Sequence, residues 1–98
     1  MTSGQAEQAG PTAFDAGRPY ELHPRVAIRP ESFGALAYHY GNRRLVFLKA
    51  PALVKVVQTL GDFPTAADAI AAHAPGAQRD SFCQALAGLL TSEVIRAR

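Results

Sequence analysis

A chain of 98 residues has room for one domain near the low end of the usual size range. Its 48% hydrophobic content excludes wholesale disorder, and a formal net charge of +2 is too small to demand nucleic acid by itself. The single cysteine, Cys83, excludes an internal disulfide; with no secretory-type N-terminus and no apolar run near membrane length, a cytoplasmic protein is expected.

Residues 1–17 are rich in Gly, Ala, Gln, Ser and Thr without periodicity, and are expected to form a flexible tail ahead of a domain over residues 18–98. Tyr20 and Leu22 alternate with Glu21, and Val26 and Ile28 with Ala27 and Arg29: a strand interrupted at Pro24, since proline removes a ladder donor. Arg29-Pro30-Glu31-Ser32 is a turn signal. In residues 33–40, Leu36, Tyr38 and Tyr40 share one face, and Ala35, Ala37 and His39 the other. After Gly41-Asn42 comes a third strand in RRLVFLK. A two-residue turn pairs Tyr38 with Leu45, whereas a four-residue loop pairs Tyr38 with Phe47. Either register gathers the large side chains on one face, which is expected to be the core face, with Phe47 in it.

Pro51 opens a first helix, where its missing N–H costs nothing, and Leu53, Val56, Val57 and Leu60 form its apolar stripe up to Gly61. Thr65 and Asp68 resemble a capping box at the start of a short second helix, which Pro75-Gly76 ends. A third helix is expected from Gln78 to Thr91, burying Phe82, Leu86, Leu89 and Leu90. Val94 and Ile95 either fold back or fray. The predicted fold class is α+β: a three-stranded antiparallel meander followed by three helices.

Catalytic sets are missing. His23, His39 and His73 fall in different predicted elements, none with a ligand-spaced Cys, Asp or Glu. Cys83 flanks a helix stripe as a packing thiol without a visible base. No phosphate loop, serine elbow or HExxH motif is present, and the acids are scattered. No enzymatic activity, metal or cofactor is therefore expected.

Charge and strand order are more informative. Between Arg25 and Lys55, six cations stand against Glu31 alone, a net charge of +5. Such a run is either a solvated rim or a surface for an acidic peptide or a nucleic acid. In a meander the third strand is an edge, open to an incoming strand. Its residues Leu45 to Leu48 are apolar on both faces, so something must cover the second one.

The phrases HPRVAIRPE, FGALAYHY and RRLVFLK, together over residues 22–57, resemble the mycofactocin chaperone family, and the likeness extends more loosely over residues 18–95. That family belongs to the PqqD-like recognition elements of ribosomally made peptides, whose three strands and three helices are winged-helix-like. The resemblance implies binding the leader of an MftA-like precursor peptide and presenting it to an MftC-like radical S-adenosylmethionine enzyme, which carries the iron–sulfur clusters. It implies strand addition beside the third strand, in a groove walled by the last helix. The residues it points to are Arg44, Leu45, Val46, Phe47 and Leu48, with Gln78, Phe82, Gln84 and Ala85 on the helix. The alternative is a DNA-binding winged helix, but the last helix has only Arg79 as a basic residue in its body, few for reading bases and phosphates. A further alternative pairs two third-strand edges in a homodimer.

Overall fold

In the computed structural model, which describes residues 14–74 and 76–98, the interruption at Pro24 is a full break between two sheets. Strand β1 (Tyr20–Leu22) leaves the meander, and the chain turns through His23–Val26, where the Val26 N–H donates to the His23 carbonyl at 3.0 Å. The meander is β2 (Val26–Glu31), β3 (Gly34–His39) and β4 (Leu45–Leu48), antiparallel and in that spatial order. Three helices follow: α1 (Pro51–Thr59), α2 (Ala66–His73) and α3 (Arg79–Thr91). The chain then folds back as β5 (Ile95–Ala97), which pairs with β1 from Tyr20↔Ala97 to Leu22↔Ile95. Arg98 extends this closure, donating to the carbonyls of Gly61, at 2.8 Å, and Phe63.

The α+β expectation holds, with the β1–β5 pair added to it. Thr65 caps α2 reciprocally with Asp68: Thr65 Oγ1 accepts the Asp68 N–H at 3.2 Å, and its hydroxyl meets the Asp68 carboxylate at 2.9 Å. Residues 14–17 of the expected tail lie against the fold. Phe14 stacks on Tyr20 with ring centroids 5.0 Å apart, and Ala16 and Arg18 offer carbonyls to the N–H groups of Ala67 and Ala66 in the first turn of α2. Residues 1–13 of that tail are outside the described residues.

The register is that of Tyr38↔Leu45 and Leu36↔Phe47, with residues 40–43 as the connection. Arg43 there takes φ 64°, and its N–H returns to the His39 carbonyl at 2.8 Å. The turn expected at Arg29–Ser32 falls later: β2 runs through Glu31, and Ser32-Phe33 makes the turn. Strand geometry explains the shift. The Tyr40 N–H donates to the Arg25 carbonyl at 2.8 Å, so the alternation of bonded pairs turns residues 27, 29 and 31 toward β3 and 26, 28 and 30 away from it. Pro30 faces the outer edge, where it costs no ladder bond.

One expectation is reversed. The core face of the sheet carries Ala35, Ala37, His39 and Leu48; the large side chains are on the other face, with Leu45 and Phe47 54% and 55% exposed. Phe47 is therefore not a core residue. Alanines on the inner face let the helices approach the strands closely, and the bulk comes from the helical side: Leu53, Val56, Val57, Leu60, Ile70, Phe82, Leu86 and Leu89 are all buried there. The apolar stripes read from the helices thus fill the core, except for Leu90, which is half-buried against its margin.

His39 is the buried polar residue on that face. Its Nδ1 accepts the N–H groups of Gly41 and Asn42 at 2.9 and 3.2 Å, so the neutral ring carries its proton on Nε2, which has no hydrogen-bond partner among the described residues. His23 lies beside it, ring centroids 4.4 Å apart. Desolvation, then the His39 ring, Arg96 and Arg25, hold the His23 pKa below its ordinary 6.5, against the opposing Glu93 carboxylate. Because the unfolded chain takes up this proton more readily, the contribution to stability is complete above about pH 6.5 and is lost as pH falls through the lowered folded value. Melting temperature is expected to fall as pH is lowered from about 6.5, and His23→Gln is expected to flatten that fall; an unchanged slope in the variant would exclude His23 as its source.

Candidate functional site

The two edges of the meander differ. On β2, the outward donors are reduced to one: the Val26 N–H is taken by His23, Pro30 has none, and Ile28 alone remains. On β4, the His39 N–H donates inward to the Arg44 carbonyl at 2.9 Å, so by alternation Val46 and Leu48 bond to β3 while Leu45 and Phe47 turn their N–H and C=O groups to the free edge. No proline lies in β4.

Beside this edge runs a groove of about 370 Å³, lined by Val46, Phe47, Leu48, Leu53, Ala85, Gly88, Leu89 and Ser92. One wall is β4, and Leu53 comes from α1. The other wall is the stripe Ala85, Gly88, Leu89 and Ser92, whose spacing of three, four and seven residues puts it on one face of α3 and its C-terminal end. Small residues dominate that wall, and a Cβ added to Gly88 would meet nothing within 4 Å. The loop after β3 reaches the far end, where the Asn42 amide approaches the Ser92 carbonyl at 3.4 Å. A second hollow of about 390 Å³, between α2 and the start of α3, adjoins no strand edge.

Of the residues implied by resemblance, the structure brings Val46, Phe47, Leu48 and Ala85 together in the groove. Leu45 lies on the same edge strand with its side chain on the outer face, and Arg44 is exposed just ahead of it, its N–H held by Asn42 Oδ1 at 2.9 Å. The other helix positions fall elsewhere. Phe82 is a core residue, 7% exposed; Gln78 precedes α3 without a side-chain capping bond; and Gln84 is exposed off the groove stripe. Leu53, Gly88, Leu89 and Ser92 were not anticipated. For Gly88, Leu89 and Ser92 the signal was the helical spacing from Ala85, once that residue is taken as the wall; Leu53, on α1, carried none.

Cys83 is half-buried at the flank of α3, against the core. Among the described residues no three His, Cys, Asp or Glu side chains converge as a metal site, and no helix is long and apolar enough to cross a membrane.

The profile of the Peptide chaperone MftB family matches residues 19–96, from the start of β1 to its partner strand. The chain belongs to the MftB peptide chaperone family. Peptide chaperone MftB of Mycobacterium tuberculosis (strain ATCC 25618 / H37Rv) is 44% identical over 92 residues, covering 93% of this chain and 84% of the relative. The protein of the same name from Mycolicibacterium smegmatis is 42% identical over 96 residues, 97% and 91% of the two chains. That of Mycobacterium ulcerans is 42% identical over 88 residues. No solved structure matches the chain. These MftB relatives are named for a chaperone role, not for a catalysed reaction, in keeping with the non-enzyme reading of the sequence.

Proposed function

We propose that this MftB-family domain binds the leader of a ribosomally made precursor peptide, an MftA-like chain, as an added strand on β4, and presents it to an MftC-like radical S-adenosylmethionine enzyme in mycofactocin biosynthesis. The observation that carries the reading is the edge of β4, unpaired among the described residues, with Leu45 and Phe47 offering backbone groups beside an apolar groove. Backbone bonds supply affinity that is indifferent to sequence, and alternate guest side chains entering the groove between β4 and α3 supply selectivity. Arg43, Arg44 and Lys49 flank the strand. Among the described residues the ion pairs are Arg29–Glu31 and Arg96–Glu21, so these three cations have no carboxylate partner there, which suits an acidic leader.

The test is amide exchange with and without the leader peptide. Protection is expected at Leu45 and Phe47, together with chemical-shift changes at Gly88 and Leu89. Protection confined to residues 50–60, with none on β4, would reject strand addition.

Gly88 gives an independent check. Gly88→Ala is expected to stabilise α3 by about 1 kcal/mol, since glycine is a poor helix former and the added methyl has open space. Gly88→Leu also points into open groove rather than core, so the domain is expected to remain folded while leader affinity falls by about tenfold or more, the scale of a disrupted interface pocket. Undiminished binding by a folded Leu variant would place the guest elsewhere.

A further inference from the structure

Among the described residues, none forms a layer over the outer face of the three-stranded sheet. Leu36 and Tyr38 of β3, and Leu45 and Phe47 of β4, lie on it, continued by Tyr40 at 60% exposure and Phe33 at 39%. Phe33 stacks on Phe47 with centroids 5.6 Å apart, and Tyr38 meets Tyr40 edge-on at 5.2 Å. The strand register places Arg25 opposite Tyr40 and Arg29 opposite Leu36 on this same face, and Lys49 follows Phe47 with the same parity. Glu31, already bonded to Arg29 at 3.1 Å, is the carboxylate among them.

This surface shares Phe47 with the groove, whose other lining residues lie on the helix side of β4 or on the helices. We propose that the outer sheet face is a second docking surface, for a folded protein that presents an apolar patch bordered by carboxylates, engaged while the groove holds a peptide. The proposal rests on the chaperone reading, in which the modifying enzyme is the protein that must meet the loaded domain. The chemistry favours such a partner over the other occupants. A second copy placed face to face sets Arg25, Arg29 and Lys49 against themselves, a like-charge arrangement that opposes pairing. Single-stranded nucleic acid stacks its bases on open aromatic faces; here the rings are engaged with one another in pairs and interleaved with Leu36 and Leu45. An aliphatic–aromatic centre with a cationic border matches the general anatomy of protein interfaces, in which aromatic side chains and arginine are enriched.

Two variants separate this face from the groove: the double change Tyr38→Ser with Tyr40→Ser, and Arg25→Glu. None of these residues lines the groove. Each variant is titrated with the purified radical S-adenosylmethionine enzyme and, separately, with labelled leader peptide; far-UV circular dichroism confirms folding. The aromatic double variant is expected to lose about tenfold or more in enzyme affinity, as when interface anchors are removed, and Arg25→Glu to weaken binding and flatten its salt dependence. Leader affinity is expected to stay within about twofold in both, the scatter of near-neutral positions. Unchanged enzyme affinity, or no enzyme binding by the wild type, overturns the proposal. So does a parallel loss of leader and enzyme binding in folded variants, which would merge the face with the peptide site. A dimeric mass that the double variant reduces to a monomer would assign the face to a second copy, and a gel shift of RNA abolished by Arg25→Glu would assign it to nucleic acid. Failure of the wild type to bind leader while enzyme binding persists would reject the peptide reading and leave this face standing.

Discussion

Proline at position 46 is expected to unfold the domain, and proline at position 47 to leave it folded but unable to bind a strand. The two positions are adjacent in β4, and their backbone groups point in opposite directions. Val46 is paired with Ala37, and its N–H belongs to the ladder with β3; Val46→Pro removes that bond from the edge strand and forces φ toward about −65°, in a strand whose side chain also packs toward the core. A loss of more than about 3 kcal/mol is expected in urea denaturation, enough to abolish the transition in a marginal domain. Phe47 turns its N–H to solvent, so proline there sacrifices no internal bond, and the preceding Val46 is already in the extended region that proline requires of its neighbour. What Phe47→Pro does sacrifice internally is the stacking with Phe33, about 1 kcal/mol. Phe47→Ala removes the same ring and keeps the donor, so it is the control. A folded Phe47→Pro protein with leader affinity well below that of Phe47→Ala would identify the backbone donor as the lost element. Equal affinities in the two would exclude it.

Gly34→Ala is expected to be as damaging as Val46→Pro, for a different reason. Gly34 starts β3 with φ 150°, a value that residues with a Cβ rarely adopt. A Cβ built there would sit 2.1 Å from the carbonyl oxygen of Leu48 and 3.0 Å from the Ala50 nitrogen, both backbone atoms that no rotamer change can move aside. Relief requires displacing the end of β4, and with it the entry to α1. A loss above about 4 kcal/mol is expected, the range that follows from backbone strain and steric overlap combined. Ser32→Ala, at the exposed turn two residues earlier, is the comparison and is expected to change stability by less than about 0.5 kcal/mol. A Gly34→Ala protein with near-native urea midpoint would show that β3 and β4 do not meet as described.

Much of this architecture was legible. Helical spacing identified Leu53, Val56, Val57 and Leu60 as a buried stripe, and Thr65 with Asp68 announced the start of α2. Period-two alternation located the strands. Alternation divides a strand into two faces, however, without saying which is inward. In β3 the rule that large apolar residues go inside selected Leu36 and Tyr38, whereas the helices pack on Ala35 and Ala37. That choice is decided by how near the helical layer must come, a property of residues tens of positions away. The β1–β5 pair was equally hidden, because three-residue strands carry almost no periodic signal and their pairing joins opposite ends of the described chain. The groove wall on α3 was half legible. Ala85 was reached, but Phe82 belongs to the core, and the empty space over Gly88 exists only once β4 and α3 are set side by side.

The unequal edges of the meander bear on how the protein behaves at high concentration. In polymer terms the three-stranded sheet, among the described residues, is monofunctional. A sheet with two open edges can propagate, each added copy offering a fresh template, whereas this one has a single reactive end, β4, and a terminated end at β2, where Pro30 and the His23 turn leave one free donor. Should two β4 edges meet, the combined sheet would be flanked on both sides by β2, and growth would stop at the pair. An exposed apolar strand can thus be kept available for a guest without the run-away stacking that leads to fibrils.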